Sequence, residues 1–260
     1  MTTCKSTLHT ERDTIVLKLG GSMLSELNDS FFTKLKEMHQ HSNIVITHGG
    51  GPNISRALEE ANIPYETVNG LRVTTKKAAK IVRNTLNGEV NAPLVHRLTK
   101  AGLEAVGLSG YDNQLFVCTY LDEATYGEVG VVQEVHKAWL EKLFALNVIP
   151  VISCVGCNEQ GEPLNINGDD AATAVAVSLQ ADQMIFVTDV QGLLVDGELI
   201  ESTTECEINR WIEDGTIYGG MIPKVKGALA TMKEGVASVQ ITNETLQGTT
   251  IVDDIKENVQ

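Results

Sequence analysis

TIVLKLGGS, Thr14–Ser22, is a short apolar run rich in branched residues that stops abruptly at two glycines. Such a run reads as a buried strand delivered to a loop. The same unit recurs along the chain: NIVITH (43–48), EAVGLS (104–109), VIPVIS (148–153), QMIFVTDV (183–190) and SVQIT (238–242) are separated by segments with helical spacing. That alternation predicts an α/β protein with a largely parallel sheet covered by helices on both faces.

The intervening segments fit this reading. FFTKLKEM (31–38) repeats apolar residues at helical intervals, and PNISRALEEA (52–61) opens with Pro52 at a first helical position. Thr75–Ala101 reads as a long helix broken near Gly88 and Pro93, and residues 113–135 as strands or hairpins. No Ser- or Pro-rich linker, repeat or low-complexity tract divides the chain, so its two halves are expected to share one continuous sheet as one structural domain.

Composition narrows the function. The 260 residues carry 20 basic and 34 acidic side chains, a net charge of −14 that repels nucleic acid and anionic membrane. No apolar stretch approaches the roughly twenty residues of a membrane span, and the polar start MTTCKSTLHTER lacks the apolar core of a secretory signal. A cytoplasmic protein is expected. Five cysteines, an odd number, argue for reduced thiols. The CVGC pair, Cys154 and Cys157, has metal-ligand spacing but lacks a second pair to complete four ligands, so buried strand thiols are expected and no metal site is assigned.

In open α/β sheets ligands sit beyond the carboxyl ends of the strands, so the residues after each apolar run carry the most information. The first run ends with Lys18, Gly20 and Gly21; the second, THGGGPN (47–53), with Gly49, Gly50 and Gly51 before a helix. Glycine lets backbone approach an anion, and a helix N-terminus offers N–H donors. Tight turns alone would also use glycine, though three in a row exceed what a turn requires. Neither loop fits the Walker or dinucleotide fingerprints. Lys18 interrupts its strand near the outgoing end, and Lys224 lies in GGMIPKVKGAL (219–229), beside Gly219 and Gly220 at a helix entry. Each lysine alone reads as a surface residue; together beside glycine loops they form a candidate phosphate clamp. In NINGDD (165–170) two amides and two acids crowd one helix mouth, where a single cap would suffice.

KLGGS, HGGGP, NGLRVTT (69–75), NINGDDAATA (165–174), VTDVQGL (187–193) and GGMIPKV (219–225) occur in the order seen in the amino acid kinase family, within the branch that acts on N-acetyl-L-glutamate. The sequence resembles that family from about Thr14 to Val252. The resemblance implies a three-layer αβα sandwich in which residues 1–163 bind N-acetyl-L-glutamate and form the dimer, and residues 164–260 bind ATP. It implies transfer of the γ-phosphoryl group to the side-chain carboxylate, the second step of arginine biosynthesis, with ATP as co-substrate and Mg2+ carried on its phosphates. By motif match, Lys18 and Lys224 would stabilise the phosphoryl group, with Asp169 orienting both lysines. Arg72, Asn165, Asn167, Gly50 and Gly51 would hold the acceptor, and Gly20, Gly21, Gly49, Asp189 and Gly220 the nucleotide phosphates or adenosine side. Read without the resemblance, Asp169 caps its helix, Asp170 is a cap or first-turn acid, and Asp189 opens a turn.

Gly168 stands where the family usually has Ala. Only about thirteen residues precede the first strand, too few for the N-terminal helix of arginine-inhibited hexameric members, so an arginine-insensitive homodimer is expected. Carbamate, uridylate and aspartate kinases share the glycine scaffold; NGLRVTT separates them from the acetylglutamate branch. Kinases for acetylaminoadipate or its carrier-linked form, and a non-catalytic ligand-binding regulator, are the alternatives.

Overall fold

The computed structural model describes residues 12–253. The polar N-terminal stretch, up to Glu11, and the expectation built on it lie outside the described residues. The chain begins with β1 (Asp13–Leu19), a 3-10 turn over Gly21–Ser25, α1 (Asp29–His41), β2 (Ser42–His48) and α2 (Gly51–Glu60). Asn28 caps α1 by accepting from the Phe31 N–H, and Pro52 enters α2 in its first turn as the sequence requires.

A small hairpin, β3 (Thr67–Val68) and β4 (Leu71–Arg72), leads into α3 (Lys76–Asn84). The expected break in the long helix is a π-helical stretch, Thr85–Asn91, that runs straight on into α4 (Ala92–Lys100). Then come β5 (Ala105–Ser109), β6 (Phe116–Tyr120), a short α5 (Glu123–Tyr126), β7 (Val129–Val135), α6 (Lys137–Ala145), β8 (Ile149–Ser153), β9 (Val155–Cys157) and β10 (Pro163–Ile166). β6 and β7 pair antiparallel, as expected of residues 113–135.

The second half contains α7 (Gly168–Leu179), β11 (Gln183–Val187), a hairpin of β12 (Leu194–Val195) and β13 (Glu198–Leu199), β14 (Ser202–Thr204), α8 (Glu205–Glu213), α9 (Met221–Lys233), β15 (Val239–Thr242) and β16 (Thr249–Val252). One eight-stranded sheet runs β14-β16-β15-β11-β1-β2-β8-β5, parallel except between β15 and β16. β1 is the hinge of this order, pairing β2 on one side and β11 on the other, so both halves share the sheet. Four further strands, β6-β7-β10-β9, form a smaller sheet.

Strand alternation sorts the core into two layers. Ile15, Leu17 and Leu19 pack with Phe31, Leu35, Leu94 and Leu98 of α1 and α4 on one face. Val16 and Val45 join Leu58, Val82, Val175 and Val225 on the other, the face of α2, α3, α7 and α9. The result is a three-layer αβα arrangement with burial on both faces of the sheet. Lys18 follows Val16 at the two-residue period, so it points to the α7 face from the strand's carboxyl end.

Candidate active site

That register sets the first ion pair. Lys18 is nearly covered, its side chain 15% exposed, and its Nζ lies 2.9 Å from Asp169 Oδ1 in the first turn of α7. The second pair faces the same cleft: Lys224, in the first turn of α9, places Nζ 2.5 Å from Asp189 Oδ1, two residues beyond β11. The Lys224 ammonium holds the Asp189 carboxyl below its ordinary range. A cavity of about 550 Å³ lies between the elements, lined by Lys18, Gly20, Asp169, Asp189 and Lys224 among others. Apolar walls from Val131, Phe186 and Ile241 complete it.

Two readings of this cleft change. Asp169 does not hold both lysine heads here; it pairs with Lys18, while Asp189 takes Lys224. Nor do Asp169 and Asp170 cap α7. Asn167 is the cap: its Oδ1 accepts from the N–H groups of Asp169 at 2.8 Å and Asp170 at 3.1 Å. The crowded NINGDD stretch is thereby resolved, because an amide cap leaves the Asp169 carboxylate for Lys18. Burial, with the charges of Asp169 and Glu234, pushes the Asp170 carboxyl up.

The glycines serve two different ends. A β-carbon on Gly21 would lie 2.8 Å from Gly50 Cα and from Gly51 N, so the two loops touch backbone to backbone. One on Gly50 would lie 2.6 Å from Leu86 Cδ2 of the π-helical stretch. Gly49, Gly51 and Gly220 have open space around the same position. Gly20 hydrogen-bonds from its N–H to the Val187 carbonyl and lines the cavity. The first glycine loop, the second and the entry to α9 thus converge at the carboxyl ends of β1, β2 and β11.

Arg72 and Asn165 lie outside the cavity lining. Arg72 donates through Nη2 to Ser55 Oγ at 2.8 Å and, at 3.5 Å, to the Gly51 carbonyl, with its guanidinium 3.9 Å above the Tyr65 ring. Its Nη1 is buried without a partner, a donor available to an acceptor that enters beside α2. Asn165 Nδ2 donates to Thr74 Oγ1 at 3.2 Å. Ser55, Tyr65 and Thr74 escaped the sequence reading, since nothing in their spacing marks them.

A buried polar group under the second loop also escaped it. His48 Nδ1 lies 2.9 Å from the Gly49 carbonyl, and Asn91 Nδ2 reaches both His48 Nε2 at 2.9 Å and the Val151 carbonyl at 2.8 Å. Ser153 donates to Asn87 Oδ1 at 2.6 Å. Burial drives the His48 pKa down to about 4. The one sequence signal was Gly107: a lone glycine inside a strand marks close approach, and a β-carbon there would lie 2.0 Å from Asn91 Oδ1.

The expectation of buried strand thiols holds in part: Cys154 is buried but sits between two strands, and Cys157 ends β9 only partly buried. Cys154 lies covered between β8 and β9, and its thiol is pushed up to about 11; Cys118 is pushed up to about 12. Among the described residues no three His, Cys, Asp or Glu side chains converge on one point.

The model of the amino acid kinase family matches residues 13–243. The chain belongs to the amino acid kinase family. Within it, the chain is 45% identical over 251 residues to an acetylglutamate kinase of Geobacillus sp. (strain WCH70), covering 93% of this chain and 98% of that one. It is 48% identical over 233 residues to an acetylglutamate kinase of Bacillus cereus (strain AH187), covering 90% and 91%. Among solved structures, smu.665 from Streptococcus mutans UA159 superposes with a TM-score of 0.82 at 36% identity, covering 92% and 98%. A Giardia lamblia carbamate kinase bound to AMP-PNP shares the family fold, with a TM-score of 0.64 at 16% identity over 94% and 99%.

Proposed function

We infer that this chain transfers the γ-phosphoryl group of ATP to the side-chain carboxylate of N-acetyl-L-glutamate, giving ADP and an acyl phosphate, the second step of arginine biosynthesis. The observation that carries the reading is the pair of lysines, Lys18 and Lys224, facing one cleft in a chain whose acetylglutamate kinase relatives match over nearly their full length.

The chemistry suits these residues. The acceptor carboxylate is ionised at neutral pH and needs no general base. What remains is to align it with the γ-phosphorus and stabilise charge on the transferring oxygens, which ammonium groups and backbone N–H donors do. In the resting cleft each lysine is balanced by an aspartate. Incoming phosphates compete for those ammonium groups, while Asp169 and Asp189 keep them aimed at the cleft. Arg72 and the amides of Asn165 and Asn167 hold the acceptor, on the side of Gly50 and Gly51. Gly20, Gly21, Gly49, Asp189 and Gly220 face the nucleotide. Magnesium supplies charge neutralisation as part of the incoming MgATP.

Residues 1–163 as the acetylglutamate-binding, dimer-forming lobe, residues 164–260 as the ATP lobe, assembly as a homodimer and a cytoplasmic location belong to the same reading. ADP release from MgATP is measured with N-acetylglutamate, acetylaminoadipate, aspartate, carbamate and UMP in parallel, with hydroxylamine trapping the acyl phosphate. Preference for acetylglutamate is the expected result. Preference for another acceptor, or turnover with none, overturns the assignment.

A further inference from the structure

The second glycine loop owes its shape to a group that takes no part in the chemistry just described. His48 ends β2 and is 1% exposed. Ile44, Ile46 and His48 share the α4 face of the sheet by the two-residue period, which aims the ring at the π-helical stretch. Neighbouring strands put Ser153 opposite His48 and Gly107 opposite Val151 on that face. Gly107 leaves the space that Asn91 Oδ1 fills.

The hydrogen bonds fix the ring's protonation. Asn91 spends its two amide hydrogens on the Val151 carbonyl and His48 Nε2, so Nε2 accepts. Nδ1 must then carry the hydrogen, and it donates to the Gly49 carbonyl. Across a trans peptide the C=O and the following N–H point in opposite directions, and among the described residues no peptide bond is cis. A Gly49 carbonyl turned toward the ring therefore sends the Gly50 N–H away from it. The first glycine loop lies close by: a β-carbon on Gly21 would come 3.0 Å from the Gly50 nitrogen. Among the described residues the Gly50 N–H has no hydrogen-bond acceptor.

We propose that His48, locked as its Nδ1–H tautomer by Asn91, is a positioning residue that turns the Gly50 N–H toward the transferring phosphoryl group. The inference rests on the phosphoryl-transfer reading of the cleft. Without the bond from Nδ1, the Gly49–Gly50 peptide is free to rotate and the donor is lost from the site.

Two substitutions separate positioning from packing. Asparagine carries its amide nitrogen at the place of Nδ1 and can still donate to the Gly49 carbonyl; glutamine carries it at the place of Nε2 and cannot. His48→Asn is expected to keep kcat within about threefold, and His48→Gln to lose about 10- to 100-fold. KM for ATP and for acetylglutamate should move less than about threefold in both, with circular dichroism establishing that each variant is folded. Equal losses in the two folded variants, or a normal kcat in His48→Gln, overturn the proposal. Nitrogen-15 NMR of the wild-type ring at neutral pH gives a reading that needs neither variant: a neutral Nδ1–H ring is expected, and an Nε2–H or doubly protonated ring overturns it. Wild-type turnover in the same assay judges the phosphoryl-transfer reading separately, since the tautomer is measured without substrate.

Discussion

Lys224 reaches the cleft from the first turn of α9, and its partner Asp189 is mostly exposed, so removing the ammonium leaves no buried charge behind. Lys224→Ala should therefore fold normally. Losing one charge aimed at the transferring oxygens typically costs about two to four kcal/mol in the transition state, so kcat should fall about 10²- to 10³-fold. Acetylglutamate binding, measured by calorimetry, should persist, because Arg72 and Asn165 lie away from α9; a near-normal kcat would remove Lys224 from the mechanism. Two glycines make the complementary pair. A methyl on Gly168 meets Lys18 Cε at 3.6 Å, ordinary contact, so Gly168→Ala should raise stability by up to about 1 kcal/mol with activity intact. A methyl on Gly21 meets backbone at 2.8 Å, which has no rotamer with which to yield. Gly21→Ala should cost about 1–3 kcal/mol by thermal or urea unfolding and abolish turnover, as the two loops are pushed apart.

At the scale of elements, the strands and most helices were legible because each buries a periodic apolar face, and periodicity survives in a single sequence. Lys18 was legible for the opposite reason, a charge breaking such a period at a strand's outgoing end. Helix capping was only half legible: Asp170 is a first-turn acid, one of the two roles its position allows, but the cap is Asn167, whose side chain accepts from the N–H groups of Asp169 and Asp170. The π-helical stretch was read as a break, since Gly88 and Pro93 weaken a helix locally while its continuation depends on tertiary contacts with Gly50 and Ser153. That stretch is testable through the strand it covers. In Gly107→Ala the new carbon would lie 2.0 Å from Asn91 Oδ1, forcing the amide off both His48 and the Val151 carbonyl. Overpacking and two broken buried hydrogen bonds together should cost about 2–4 kcal/mol in urea unfolding. A loss under about 0.5 kcal/mol would mean that Asn91 relaxes without consequence.

For the whole molecule, the sheet joins both halves through β1, so a titratable group kept neutral by burial in that sheet is felt by the global unfolding equilibrium. His48 is such a group. Its folded pKa is lowered from 6.5 to about 4, so between those values the unfolded chain binds a proton that the folded chain refuses. Stability from this group is fully present above pH 6.5 and is lost as the pH falls toward 4, at most about 1.4 kcal/mol per pH unit and about 3 kcal/mol across the window. Other groups contribute to the same slope, among them His39, whose pKa burial also lowers. Comparison with His48→Asn, which keeps the Gly49 bond but has no titratable ring, isolates the term. Urea unfolding at intervals from pH 7.5 to 4.5 should show the wild type losing stability more steeply than the variant, the two curves running parallel above pH 6.5. Parallel curves throughout would mean that water reaches the His48 ring and that it titrates alike in the folded and unfolded chain.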